Sequence, residues 1–330
     1  MRAAYLVAPG QPLEVGSRPD PVAGERQVLI EVEACAVCRT DLHLRDGEIA
    51  ARGVPRILGH QIVGRVVAGP GAGDPVAVGD RVGVPWLAWT CGRCRWCRTG
   101  RENLCPYARF TGRDVDGGFA QLAVADARYC LPLPAGPAVD LAPLLCGGLI
   151  GYRALRLAGP DVSRVGLYGF GSAAHLVCQI ARGQGRDVFA FVRRGDDAAA
   201  ALARALGASW AGPSDEPPPD PLDAASIFAS DGALVPRALR ALAPGGTVVC
   251  AGIHMTDIPG FAYADLWEER TIRSVANLTR DDGRALLEEV RRIPVRSHTT
   301  TYPLDDAERA LADLRAGRFA GSAVLVVQSG

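Results

Sequence analysis

Four cysteines within fifteen residues constrain this chain more tightly than any other feature: Cys91-Gly-Arg-Cys94-Arg-Trp-Cys97-Arg-Thr-Gly-Arg-Glu-Asn-Leu-Cys105. Gaps of two, two and seven residues put four sulfurs in one loop. Such a loop can fill about four tetrahedral positions around a zinc ion without help from distant segments. Arg93, Arg95, Arg98 and Arg101 interleave the cysteines, and their charge is expected to help keep the sulfurs ionised. A disulfide knot and a redox pair are the alternatives; without a secretion signal, closure around metal is the favoured reading. A closed site carries no chemistry of its own. It points to whatever lies beside it.

The start, Met1-Arg-Ala-Ala-Tyr-Leu-Val-Ala-Pro-Gly10, has too short an apolar run for a secretion signal. The least polar segment, Leu141–Tyr152, falls well short of the ~20 residues that span a bilayer. Ten cysteines in that setting favour metal and free thiol over disulfides. Basic and acidic residues balance at 36 each, which speaks against a polyanionic partner such as nucleic acid. The expectation is a soluble, cytoplasmic protein with no membrane partner. Its 330 residues leave room for about two domains.

The first third reads as short β-segments, Val28–Glu33, Ile62–Ala68 and Asp80–Val84, with a turn cluster at Gly69-Pro-Gly-Ala-Gly-Asp-Pro75. A strand pattern resumes over Gly117–Val124. Near Leu141 the texture changes. Strand-like Val165–Gly169, Val188–Val192, Ala224–Ala229 and Thr247–Ile253 alternate with helix-like Ser172–Arg182, Asp196–Leu206 and Leu234–Leu242. That alternation implies βαβ units and a parallel sheet. Proline-rich Pro213–Pro221 reads as a surface loop. Two helical patterns follow, Arg284–Ile293 and Leu304–Arg315, before a closing strand, Ser322–Val327, apolar enough to rejoin a sheet.

Gly169-Phe-Gly171-Ser172-Ala-Ala174 lies where a predicted strand meets a predicted helix. A tight turn, close backbone approach to a pyrophosphate and a free helix N-terminus are what a dinucleotide site demands. The next strand ends at Val192-Arg193-Arg194 with no acidic residue in the place that would bind the ribose of NAD. Arginines there suit a 2′-phosphate, so NADP(H) is favoured and NAD(H) stays possible in principle, with Asp196 or Asp197 on the ribose.

Three further stretches carry metal-binding residue types: Cys38-Arg39-Thr40-Asp41-Leu-His43, Gly59-His60-Gln61, and Leu144-Leu-Cys146-Gly-Gly148. Taken singly, each has an ordinary reading as a buried thiol or core histidine. Their order and distances, together with the cysteine lobe and Gly169-Phe-Gly171, resemble the zinc-dependent medium-chain alcohol dehydrogenase family over nearly the whole chain.

The resemblance implies an α/β protein with a GroES-like β-barrel catalytic domain (1–146, the lobe at 91–105 included) and a Rossmann doubly wound domain (147–275). A C-terminal return (276–330) rejoins the first domain. It implies two zinc ions per chain: a structural one on Cys91, Cys94, Cys97 and Cys105, and a catalytic one on Cys38, His60 and Cys146 with a fourth position open to substrate. Thr40 would hydrogen-bond the alcohol oxygen, and the proton would leave by way of the cofactor ribose and His43. Asp41 would orient His60, and Arg39 would meet the cofactor pyrophosphate. Gly169, Gly171, Ser172, Ala174, Arg193, Arg194, Gly252 and Ile253 would line the cofactor, and Trp86 the substrate pocket. The expected partners are a small alcohol or aldehyde and further copies of the chain, as dimer or tetramer.

Three departures stand out. Gln61 replaces the usual Glu after the zinc-binding His, Ile150 takes a place often held by Thr, and Gly321-Ser322 replaces a common Gly-Arg pair. No zinc ligand is lost. Reversible oxidation of primary alcohols, aromatic or allylic ones among them, is the expected activity. A polyol or secondary-alcohol dehydrogenase is the alternative within the fold, and a non-catalytic zinc and nucleotide-binding regulator the alternative from another class.

Overall fold

The computed structural model describes residues 1–69 and 74–327; positions 70–73 of the Gly/Pro turn cluster lie outside the described residues. The chain divides into two compact units. One comprises Met1–Cys146, Asn277–Leu287 and Ser297–Gly330; the other Gly147–Ala276 and Glu288–Arg296.

In the first unit, strand Gln27–Val37 is the hub. It pairs antiparallel with Ile62–Ala68, and also with Leu122–Asp126 along its first half and Ser322–Val326 along its second. Val28, Ile30 and Val32 alternate inward while Gln27, Leu29 and Glu31 are half-buried, as a one-sided strand requires. From Ala34 to Val37 every residue is buried, because elements cover both faces of the sheet there. Leu58, Ile62, Val82, Phe119 and Leu325 fill the same core. The strand expected over Gly117–Val124 begins only at Leu122. Gly117, Gly118 and Phe119 instead donate backbone hydrogen bonds to Ile57, Gly59 and Leu58 at 2.8, 2.9 and 3.0 Å. The cysteine lobe is flanked by a short hairpin, Leu87–Trp89 against Arg109–Phe110.

The second unit holds a wholly parallel sheet in the order Trp210–Pro213, Asp187–Val192, Arg164–Tyr168, Leu222–Ile227, Leu242–Cys250, Thr271–Ser274. The chain starts in the middle, runs outward to one side, then restarts beside the first strand and runs to the other. That is the doubly wound order, whose ligand crevice lies where the winding reverses, at the carboxyl end of Arg164–Tyr168. Tyr168 and Phe191 stack at 4.0 Å across the two central strands. Composition hid Trp210–Pro213, because it is brief and runs into the proline-rich loop.

Residues 288–296 group with the second unit, so the C-terminal return expected as one piece is interrupted. The Gln179 amide exchanges two 2.9 Å hydrogen bonds with the Arg296 backbone. Ile293 packs so close to Gly183 that a Cβ there would meet it at 2.4 Å. Among the described residues, no single helix is long and apolar enough to cross a membrane.

Candidate active site

Helix Arg39–Asp46 begins at Cys38, whose Sγ accepts the Thr40 N–H at 3.3 Å; the Asp41 carboxylate in return accepts the Cys38 N–H at 2.9 Å. This capping box places a sulfur at the positive end of a helix, which favours thiolate. Gly59 carries the chain to His60 with φ +91°, and a Cβ at that position would meet the Phe119 ring at 2.3 Å. Only glycine fits there. The turn delivers His60 Nε2 to 3.3 Å from Cys38 Sγ. Cys146, at the end of the 3-10 turn Ala142–Leu145, supplies the third donor, and the three ligand atoms all lie within 4.8 Å of one another.

Asp41 holds the assembly from behind. Its Oδ1 accepts from the Gly59 N–H at 3.2 Å and pairs with His60 Nδ1 at 3.1 Å, and both side chains are buried. The Cys146 hydrogen bond first, and then the His60 charge, hold the Cys38 thiol well below its usual range against the opposing effect of burial. Burial pulls His60 down, yet the negative charges of Cys38 and Asp41 outweigh it and lift the imidazole to about 10.

The donor set fits zinc. Two sulfurs and one imidazole, with the second imidazole nitrogen on a carboxylate, are the ligands of an open catalytic site. Ideal tetrahedral bonds of ~2.3 and ~2.0 Å would put sulfur and nitrogen about 3.5 Å apart, close to the observed 3.3 Å. The lobe fits as well. Cys94–Cys97, Cys91–Cys105 and Cys91–Cys97 stand 3.5, 3.6 and 4.0 Å apart, against about 3.8 Å between sulfurs sharing one tetrahedral zinc. One expectation is corrected there: Cys91 is lowered to about 6 by the backbone N–H groups of Arg93 and Cys94, rather than by guanidinium charge.

Around the open cluster, Thr40 is buried and His43 half-buried one helical turn further on. His43 Nδ1 pairs with the Glu48 carboxylate, a partner just beyond the helix-ending Gly47 that sequence reading overlooked. Arg39 is exposed. Trp86 and His60 meet edge to face with ring centroids 4.9 Å apart, and Trp86 stacks on Phe110 at 5.2 Å, making an apolar wall directly beside the His60 imidazole. Gln61 is buried, with its Nε2 unpartnered.

In the second unit, Gly169 leaves its strand at φ +86°, where a Cβ would meet Ala229 at 3.0 Å. Gly171 faces open space, with nothing within 4 Å of an added Cβ, and helix Ser172–Gly183 starts there without a side-chain cap. Ala174 is fully buried. An approachable backbone and a free helix N-terminus fit a pyrophosphate. At the next strand end, Arg193 is exposed, while Arg194 donates to Asp215 at 3.0 and 3.1 Å and to Glu216 at 3.0 Å. Asp196 caps helix Asp197–Ala205 through the Ala199 N–H at 3.0 Å. Strand Leu242–Cys250 stops before Gly252 and Ile253, which stand in the following loop, Ile253 being 53% exposed.

Residues 24–135 match the model of the alcohol dehydrogenase GroES-like domain. A Mycobacterium tuberculosis protein named "Probable alcohol dehydrogenase AdhA" is 46% identical over 324 residues, spanning 96% of this chain and 93% of its own. The chain belongs to the zinc-type medium-chain alcohol dehydrogenase family. An alcohol dehydrogenase of Geobacillus stearothermophilus is 33% identical over 98% of both chains. The thermostable alcohol dehydrogenase of Pyrobaculum aerophilum superposes with a TM-score of 0.88 at 26% identity, covering 99% of each chain. Alcohol dehydrogenase activity of the zinc type follows for this chain, and its two sulfur-rich clusters stand in an oxidoreductase.

Proposed function

We propose that this alcohol dehydrogenase interconverts small primary alcohols and aldehydes, with aromatic or allylic side chains accepted, using a zinc ion on Cys38, His60 and Cys146 and a nicotinamide cofactor on the Gly169–Ala174 turn. The observation that carries the reading is the convergence of those three donors, from separate parts of the chain, on one partly buried point backed by Asp41. Zinc there supplies a Lewis acid that lowers the pKa of an alcohol hydroxyl, and the nicotinamide takes up the carbinol hydride.

The chain's own residues do the rest. Asp41 fixes the His60 ring so that Nε2 faces the sulfurs. Thr40 Oγ1 accepts the hydrogen bond of the alcohol hydroxyl and passes its own proton onward, and His43, paired with Glu48, delivers a proton to solvent. Trp86 and Phe110 present a flat apolar surface that selects slender or planar substrates and excludes water.

Exposed Arg193 at the strand end supports NADP(H) over NAD(H), while neighbouring Arg194 is engaged by Asp215 and Glu216. A second copy of the chain is expected along the edge strand Thr271–Ser274, beside exposed Tyr263 and Trp267, in a cytoplasmic homo-oligomer. The structural role falls to zinc on Cys91, Cys94, Cys97 and Cys105. The decisive test is metal analysis joined to a panel of alcohols and aldehydes with both cofactors. Two zincs per chain, with turnover lost in Cys38→Ser while NADPH still binds, supports the proposal; one zinc, or turnover retained in that variant, refutes it.

A further inference from the structure

The lobe's Cys97 has a neighbour outside the four-cysteine set. Its Sγ lies 3.5 Å from Thr90 Oγ1, and Thr90 Oγ1 lies 2.7 Å from Tyr129 Oη. Thr90 and Tyr129 are each only 3% exposed, so these hydroxyls have little access to water. Tyr129 is itself gripped: the Arg280 guanidinium sits 4.9 Å from its ring centroid. Arg280 in turn donates from Nε at 3.2 Å and from its backbone N–H at 3.1 Å to the buried Glu102, inside the lobe. All five residues belong to the first unit.

A zinc-bound cysteine sulfur carries no proton and can only accept hydrogen bonds. Thr90 must then donate its single proton to Cys97, which leaves its oxygen to accept from Tyr129. Tyr129 keeps the proton it would donate, since burial pushes its phenol above the usual range. We infer that Thr90 and Tyr129 form a hydrogen-bond chain, Tyr129 O–H to Thr90 O–H to Cys97 sulfur, that positions this thiolate and retards loss of the structural zinc. The chain withdraws charge from a sulfur in a site of four thiolates and one divalent ion, where electron density is in excess. Outer partners of this kind typically change metal retention by about 10–100-fold. This inference rests on zinc occupying the lobe, and needs nothing from the open cluster.

Zinc release to excess chelator, followed with 4-(2-pyridylazo)resorcinol, tests it. Measurement in a Cys38→Ser background isolates the lobe phase and keeps the result separate from the catalytic proposal. Thr90→Val should release lobe zinc about tenfold faster, Tyr129→Phe faster by less, and Thr90→Ser at the parental rate. Adding Tyr129→Phe to Thr90→Val should change nothing further, because the chain is already cut at its first link. Cobalt in the lobe gives a second readout: losing the hydroxyl donor should move the thiolate-to-metal charge-transfer band to longer wavelength. Parental release from Thr90→Val, equally fast release from Thr90→Ser, or fully additive effects in the double variant would overturn the chain. Should Thr90→Val not fold, Tyr129→Phe alone decides, since it removes one oxygen; release at the parental rate then refutes the inference.

Discussion

His60 Nδ1 and Asp41 Oδ1 lie 3.1 Å apart with both side chains out of water, and this contact determines which imidazole nitrogen faces the sulfurs of Cys38 and Cys146. A carboxylate on one nitrogen leaves the other as the metal ligand and makes it more basic. The same carboxyl also accepts the backbone N–H groups of Cys38 and Gly59, so one side chain orients two ligands at once. Asp41→Asn keeps the shape and loses the charge. Zinc affinity of the open site should fall about 10–100-fold while the lobe zinc is retained. Metal titration of the variant, one equivalent weakened and one unchanged, is the expected result.

Removal of the open-site zinc should reshape the pH dependence of stability. His60 is lifted from 6.5 to about 10, so the folded state holds a proton that the unfolded state has lost. Its contribution is complete below about pH 6.5 and vanishes as pH rises through about 10. Cys38 has the opposite sign: its thiol, depressed from 9.0, adds stability as pH climbs toward that value. The two slopes oppose each other below about pH 9.0. Above 9.0 the loss from His60 stands alone, and Cys146, pushed upward by Cys38 and by burial, adds to it. The stripped protein should lose on the order of 1 kcal/mol over that unit, whereas the zinc-loaded protein, whose ligands carry no proton, should not. Melting curves of both forms from pH 6.5 to 10.5 would show the divergence; parallel curves would contradict it.

Gln61→Glu puts a carboxyl where a buried amide leaves its Nε2 without a partner. A buried carboxylate costs several kcal/mol unless a cation is close, so the variant should be less stable when stripped of zinc and recover on loading. Turnover should stay within about tenfold of the parent, as for other changes just outside a ligand set. Steady-state rates beside melting temperatures with and without zinc would check both halves.

Cofactor choice should separate Arg193 from Arg194. Arg194 is already held by Asp215 and Glu216, and Arg193 makes no ion pair among the described residues, which leaves its guanidinium available to a 2′-phosphate. Arg193→Ala should weaken NADPH binding relative to NADH by about tenfold, the worth of one charge-assisted hydrogen bond. Arg194→Ala should change the ratio less, and Asp215→Asn with Glu216→Gln should raise it in favour of NADPH. Fluorescence titration with each reduced cofactor reads the ratio directly.

What the order of residues could reveal depended on how near in the chain the cooperating groups stand. The lobe cysteines and Gly169-Phe-Gly171 are contiguous, so backbone connectivity alone brings their atoms together. The doubly wound sheet was legible for a related reason, since each βαβ unit is local and its apolar periodicity marks it. Trp210–Pro213 escaped because a short strand beside prolines has no clear period.

Cys38, His60 and Cys146 are a different case. Their residue types suggested a metal only through resemblance, since spacings of 22 and 86 positions carry no geometric information. Their meeting depends on tertiary packing: a helix cap at Cys38, a left-handed glycine wedged against Phe119 before His60, and a 3-10 turn that ends at Cys146. The same holds for Glu48 on His43, for Thr90 between Cys97 and Tyr129, and for the two carboxylates on Arg194. Sequence alone therefore determined the four-cysteine lobe, the glycine turn between strand and helix, and the family. Tertiary structure decided which scattered side chains converge, what charge each carries there and which partner each one answers to, because those depend on burial and long-range contacts that no local pattern encodes.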